Sequence, residues 1–265
     1  MSALLWWSLL CAAAVVNVVA WVVSARLIAR RAPQWPQEVR ATRRALLWLA
    51  AVYVAGCAFR SVLPMIDVPR YCLHDTWMSR IFVGRSVATL AELAFVAQWA
   101  LLMREAGAVR AARAVVPIIV AAETLSWFAV LTTNDLFHAA ENAVWTVAAG
   151  FAAAFLASRW RYEEALGRRV IVAALGCAGA YIAFMAAYVV PMYLARWQPH
   201  RAYLSLEEGM GQILQRCTVE RDWALWWQDA AWLSPYFTAA VWISLALAQV
   251  PSLRPAGASA APRRG

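Results

Sequence analysis

The strongest constraint in the chain is a set of seven predominantly apolar runs, near 3–29, 45–63, 79–103, 114–132, 138–157, 170–193 and 231–250. Crossing about 30 Å of hydrocarbon takes a helix of about 20 such residues. The runs therefore predict an all-α fold, a single-domain bundle of seven transmembrane helices over residues 1–250. Composition agrees: 63% of residues are hydrophobic and 15% charged, where a soluble domain has about 45–50% and about 25%. A soluble globule is excluded. With 16 Trp and only five Cys, so are a disordered chain and a disulfide scaffold.

The net charge of +9 is carried by arginine alone, since the chain has no lysine. Arg26, at the end of the first run, and Arg30, Arg31, Arg40, Arg43 and Arg44, between the first two, lie on one side, as do Arg104, Arg110 and Arg113 between the third and fourth. Arg159, Arg161, Arg168 and Arg169 separate the fifth and sixth, and Arg254, Arg263 and Arg264 follow the seventh. These are 16 of the 24 arginines, and the alternate connections hold six. The positive-inside rule then puts the N-terminus outside and the C-terminus in the cytoplasm. So placed, the basic balance is a topology signal with an attraction to anionic headgroups; it predicts membrane lipids as partners and no nucleic acid. The first run lacks a charged n-region and exceeds an h-region in length, so it reads as a retained helix. A plasma or inner membrane is the expected location.

Of the connections, only 194–230, on the outer side, is long. Leu204, Leu206, Met210, Ile213 and Leu214, with Trp223, Trp226 and Trp227 beyond, point to an amphipathic or interfacial helical segment there. The tail 251–265, rich in Ala, Pro, Ser and Arg, reads as disordered. Cys11, Cys57 and Cys177 lie in the apolar runs. Cys72 and Cys217 lie in outer loops facing an oxidising compartment, which makes a disulfide between them one expectation and two distant free thiols the other.

Ionisable groups inside the runs carry the functional signal, because each costs about 2.5–3.5 kcal/mol to insert. Arg60 closes the second run, Arg85 and Glu92 lie on the third, Glu123 on the fourth, and His138, Glu141 and Asn142 open the fifth. Arg85, Thr89 and Glu92 share one helical face; so do Glu123, Ser126 and Trp127, and so do His138, Glu141, Asn142 and Trp145. Three polar stripes on consecutive helices predict one internal cavity opening outward.

Two chemistries fit such a cavity. Glu92, Glu123, Glu141 and His138 offer oxygen and imidazole ligands to a divalent metal. The same groups offer acid/base chemistry on an apolar substrate, a desolvated carboxyl at Glu92 or Glu123 serving as proton donor. Arg60 and Arg85 would hold the anionic group of a small apolar or amphiphilic ligand, with Asn134, Asn142, Trp127 and Trp145 lining the rest. An ion-pair network that fixes helix register without any ligand is the structural alternative.

Retinal as cofactor is excluded, because its Schiff base needs a lysine. Glu163-Glu164-x-x-x-Arg168 matches the first motif of membrane-embedded prenyl-protein proteases, but only His200 follows where that family needs two histidines; it reads as a solvated charge run. The leading expectation is a membrane-embedded enzyme acting on a lipid or isoprenoid-like substrate at the outer leaflet. A ligand-sensing receptor and a proton- or ion-coupled transporter are the alternatives.

Overall fold

The computed structural model describes residues 1–160, 165–215 and 217–253. The Glu163-Glu164 pair and the tail beyond residue 253 lie outside the described residues. The chain is mostly helical, and seven helical stretches are long and apolar enough to cross a membrane: Ala3–Gln34, Gln37–Val62, Ile81–Glu105, Val109–Thr132, Asp135–Arg159, Arg168–Arg196 and Trp223–Gln249. In chain order the α-helices are α1 (Ala3–Arg31), α2 (Gln37–Val62), α3 (Ile81–Glu105), α4 (Val109–Thr132), α5 (Asp135–Arg159), α6 (Ala165–Phe184), α7 (Val190–Arg196), α8 (Leu206–Ile213), α9 (Trp223–Phe237) and α10 (Ala239–Gln249). A five-residue π-turn, Met185–Val189, joins α6 to α7 without a break in the rod. Between α9 and α10 the rod does break, at Thr238, three residues after Pro235.

Helices α1 to α5 pack as successive neighbours, and α10 returns against α1, α2 and α3. The main core is aromatic: Trp6, Tyr53, Phe95, Trp226 and Phe237 are buried between α1, α2, α3, α9 and α10. A second core of small and branched residues, Val115, Ile119, Ala122 and Ala148 among them, joins α3, α4 and α5. Gly56 lets α2 and α3 approach closely, since a Cβ there would lie 2.7 Å from that of Ala91. Outward faces are apolar as well: Leu5, Val15, Trp48, Val147 and Trp242 are each more than half exposed. A surface as apolar as the core suits a hydrocarbon surround rather than water.

Buried polar side chains pin these helices at defined heights. Asn17 Nδ2 donates to the Phe237 carbonyl at 2.8 Å, next to the Thr238 break. Gln98 donates to the carbonyls of Leu46 (3.0 Å) and Ser244 (3.2 Å) and accepts from Ser244 Oγ at 2.7 Å, which ties α3 to α2 and α10. At the arginine-rich end, Arg43 and Glu105 form a buried pair at 2.9 Å.

The opposite end carries a small cap. Strands β1 (Met65–Ile66) and β2 (Tyr71–Cys72) form an antiparallel hairpin, and β3 (Thr218–Val219) adds to β2 in parallel. A disulfide joins Cys72 to Cys217, with 5.9 Å between their Cα atoms. Helix α8 starts with a capping box, Ser205 and Glu208 bonding reciprocally, and its Gly209 lies against the Leu131 backbone of α4. The stretch expected as one loop over 194–230 is thus shorter: α7 runs to Arg196 and α9 begins at Trp223, because the tryptophans there have an aromatic core to enter. The β ribbon is a feature the apolar runs did not announce.

Candidate functional site

The side chains that stood out as ionisable in apolar runs converge below the cap. Arg85 lies one turn into α3, with Glu92 two turns further along the same face. Its Nη2 donates to Glu92 Oε2 at 3.0 Å and to Glu123 Oε2, on α4, at 2.7 Å. Glu141 Oε1, on α5, is 3.9 Å from the same nitrogen. On the other side Arg85 Nη1 faces Asp67 Oδ2 at 3.8 Å, and Asp67 Oδ1 lies 3.8 Å from Arg60 Nη2. Asp67 belongs to the cap hairpin, in the turn between β1 and β2. Every one of these charged side chains is nine-tenths or so buried.

Neutral groups complete the arrangement. Thr89 Oγ1 donates to Glu123 Oε2 at 2.7 Å and accepts from Trp127 Nε1 at 3.2 Å. Tyr236, from α9, donates its hydroxyl to Glu92 Oε1 at 2.7 Å. His138 Nδ1 and Glu141 Oε2 are 2.8 Å apart one turn along α5, and the imidazole lies against the Tyr193 ring of α7, centroids 4.9 Å apart. Several polar atoms here are buried with no hydrogen-bond partner among the described residues: Glu123 Oε1, Asp67 Oδ1, Ser126 Oγ, and the Nε atoms of Arg60 and Arg85.

Of the residues expected to act, Glu92, Glu123, Glu141 and Arg85 come together, and His138 joins through Glu141. Arg60 reaches the group from α2, but its shorter bonds go to the carbonyls of Gly84 (3.2 Å) and Met65 (3.0 Å). Trp127 enters through Thr89. The remaining three have other partners. Asn134 caps α5 by accepting from Leu136 N, Asn142 donates to the His138 carbonyl one turn back, and Trp145 packs edge-on against Trp99. Arg85, expected to hold a ligand's anionic group, has its guanidinium faced by four carboxylates of the protein itself. Asp67, Tyr236 and Tyr193 were not expected. Asp67 sits in a connection that reads as surface, and the two tyrosines resemble interfacial aromatics.

One carboxylate oxygen from each of Glu92, Glu123 and Glu141 lies within 4.8 Å of the others, close enough for a common cation. His138 directs its Nδ1 to Glu141 rather than to that meeting point. The guanidinium of Arg85 already stands 3.0 and 2.7 Å from an oxygen of two of these three carboxylates, Glu92 and Glu123.

Charge is the decisive property. Four carboxylates face two guanidinium groups, so with His138 neutral the centre carries two negative charges in excess, and with His138 protonated one. An uncompensated charge in a low-dielectric interior costs several kcal/mol, and such groups neutralise themselves instead. Protons or a cation would balance such an excess.

A cleft of about 400 Å³ opens at the cap end between α1 and α9, lined by Met1, Trp6, Trp223, Trp227 and Ser234. The chain matches no protein-family model, no curated protein and no solved structure.

Proposed function

We propose that the chain is a multi-pass membrane protein of a plasma or inner membrane, cap end outside, arginine-rich end and C-terminus in the cytoplasm. Its seven helices act as one domain, and the Arg85 centre is an exchangeable proton-binding site that drives coupled transport. The observation that carries this reading is the excess of buried carboxylates over guanidinium groups. Glu92 and Glu123 share one guanidinium nitrogen and lie near mid-helix, so a proton held between them replaces the missing cation. Interruptions of regular helix surround them: the π-turn before α7, whose Tyr193 meets His138, and the Thr238 break after Tyr236. Interrupted helices beside buried charge are the pattern by which transporters bind and move at mid-membrane depth. The near-complete burial of the centre suits a proton better than a lipid substrate.

The test is infrared spectroscopy of the purified protein through a pH titration, with metal content measured on the same sample. A protonated carboxyl stretch that Glu123→Gln or Glu92→Gln removes, without stoichiometric metal, supports the reading. Proton flux in liposomes that disappears in the same variants supports the transport step. Carboxylates ionised throughout beside one equivalent of metal would replace the proton with a cation. Neither signal would leave a structural ion-pair network and overturn the proposal.

A second reading rests on the His138 to Glu141 pair and the unpartnered Glu123 Oε1: a lipid- or isoprenoid-acting enzyme in which these groups and Glu92 transfer protons. An amphiphile would approach from the cap end beside Trp6 and Trp223. Turnover of a co-purified lipid, lost in His138→Ala, would favour it over transport.

A further inference from the structure

Asp67 is the one member of the centre that does not come from a membrane-length helix. It reaches down from the cap, and everything that holds the cap in place bears on its position. Cys72 is tied to Cys217. Thr218 N donates to the Arg70 carbonyl at 3.0 Å and Glu220 N to the Cys72 carbonyl at 2.9 Å. The Arg70 side chain donates to the Val130 carbonyl at 3.0 Å and to Gln212, so the hairpin is strapped both to α4 and to α8. Asp67 itself is held more weakly. Both of its guanidinium partners are 3.8 Å away, beyond hydrogen-bond length, and its Oδ1 is buried with no hydrogen-bond partner among the described residues.

We infer that the cap is the outward gate of the Arg85 centre and that Asp67 is its latch, closing when the centre is protonated and loosening when it is not. The inference rests on the proton-binding reading above. The charged groups that face Asp67 are Arg60 from α2 and Arg85 from α3; behind Arg85 stand Glu92 from α3, Glu123 from α4 and Glu141 from α5, the last paired with His138. Tyr193 from α7 adds only a phenol. Leaving Asp67 aside and counting His138 as neutral, a proton shared by Glu92 and Glu123 leaves two helix carboxylate charges matched by the two guanidinium groups, so Asp67 meets a neutral centre with both arginines near it and is drawn in. When that proton leaves, the same groups carry one net negative charge and the centre repels Asp67. One extra like charge at a distance on the order of 10 Å changes an equilibrium by about tenfold or more in a weakly screened site. Because the latch acts by charge at 3.8 Å rather than by a short hydrogen bond, it responds to the centre without being locked to it. The disulfide keeps the loosened cap attached, so that opening is local and reversible.

The experiment is hydrogen–deuterium exchange of the intact protein in lipid nanodiscs, following residues 63–80 and 197–222 as pH is raised. Each sample is also titrated by infrared for the protonated carboxyl. His74 lies in the same segment and titrates for its own reasons, so a His74→Gln background is run in parallel. The expected result is a cap protection factor, exchange normalised to the pH-dependent intrinsic amide rate, that falls about tenfold over the pH interval in which the carboxyl signal is lost. Asp67→Asn should abolish that fall while the carboxyl signal persists, and Asp67→Glu should restore part of it. Cap protection indifferent to pH, or an Asp67→Asn protein that follows wild type, would overturn the gate while leaving the proton site standing. A wild type with no protonated carboxyl at any pH would instead overturn the reading on which it rests. Reduction of the disulfide is the control for opening: it should raise cap exchange at every pH, and if it does not, the cap is not the mobile element.

Discussion

Removing the guanidinium of Arg85 is the sharpest perturbation the structure offers. Arg85→Gln takes away the shared donor of Glu92 and Glu123, at 3.0 and 2.7 Å, and a guanidinium charge beside Asp67 and Glu141, at 3.8 and 3.9 Å. Breaking a buried pair by deleting one partner costs about 3–5 kcal/mol, because the other charge is left uncompensated. With several carboxylates left behind, the upper part of that range is expected at neutral pH. The loss has a direction in pH. Carboxylates deprived of their cation take up protons on folding, so the folded variant binds more protons than the unfolded one and its stability falls as pH rises. The deficit against wild type should therefore shrink towards acid. Adding Glu92→Gln and Glu123→Gln should recover most of it, since the interaction energy belongs to the group and not to Arg85 alone. Unfolding in mixed micelles, followed by the fluorescence of the chain's 16 Trp, measures all three proteins. A deficit below about 1 kcal/mol, the range of an exposed pair, or no recovery in the triple variant, would refute the account of the centre as a buried excess of negative charge.

Cys72→Ser should cost about 2–5 kcal/mol, because the disulfide closes a loop of 145 residues in the unfolded chain; denaturation with and without reductant checks it, and equal midpoints would contradict it. Gly209→Ala places a Cβ on the Leu131 carbonyl and should cost about 1–3 kcal/mol with faster exchange confined to 197–222; unchanged exchange there would show that α8 does not depend on that contact. His74 packs on Trp7, its Nε2 buried without a hydrogen-bond partner among the described residues, and burial together with Arg221 holds its pKa below the ordinary 6.5. Its folded form binds fewer protons than the unfolded one just below that value, so the cap's stability is present above pH 6.5 and is lost as pH falls from there through the lowered folded value. Thermal unfolding of His74→Gln across that window should be flatter than wild type, and parallel curves would exclude His74 as the cause.

What the sequence made legible, and what it did not, follows from how each residue is held. Helix number was readable because apolar length is a property of consecutive residues, and a charge in such a run has nowhere to go except towards another charge. That is why the stripes on α3, α4 and α5 could be placed on faces and their convergence expected. Arg85 illustrates the limit of that reasoning: a buried arginine on a shared face predicts a carboxylate partner and a ligand's carboxylate equally well, and only the count of acids around it distinguishes them. Asp67 shows the second limit. Nothing local marks it, since an aspartate between Ile66 and Val68 in an interhelical connection looks solvated; it is buried because a disulfide 145 residues in span and a parallel strand from the other end of the chain press its hairpin down. Tyr236 is hidden differently, being one aromatic among many, and is selected only by the break at Thr238 that ends its helix beside Glu92. Each missed residue arrives on an element whose position is set by long-range contacts, whereas each residue that was found sits on a helix whose own period aims it. The centre thus joins three locally specified stripes to a few groups delivered from afar, and it is the delivered carboxylate, loosely held at 3.8 Å from both arginines, that is free to move when the charge of the fixed ones changes.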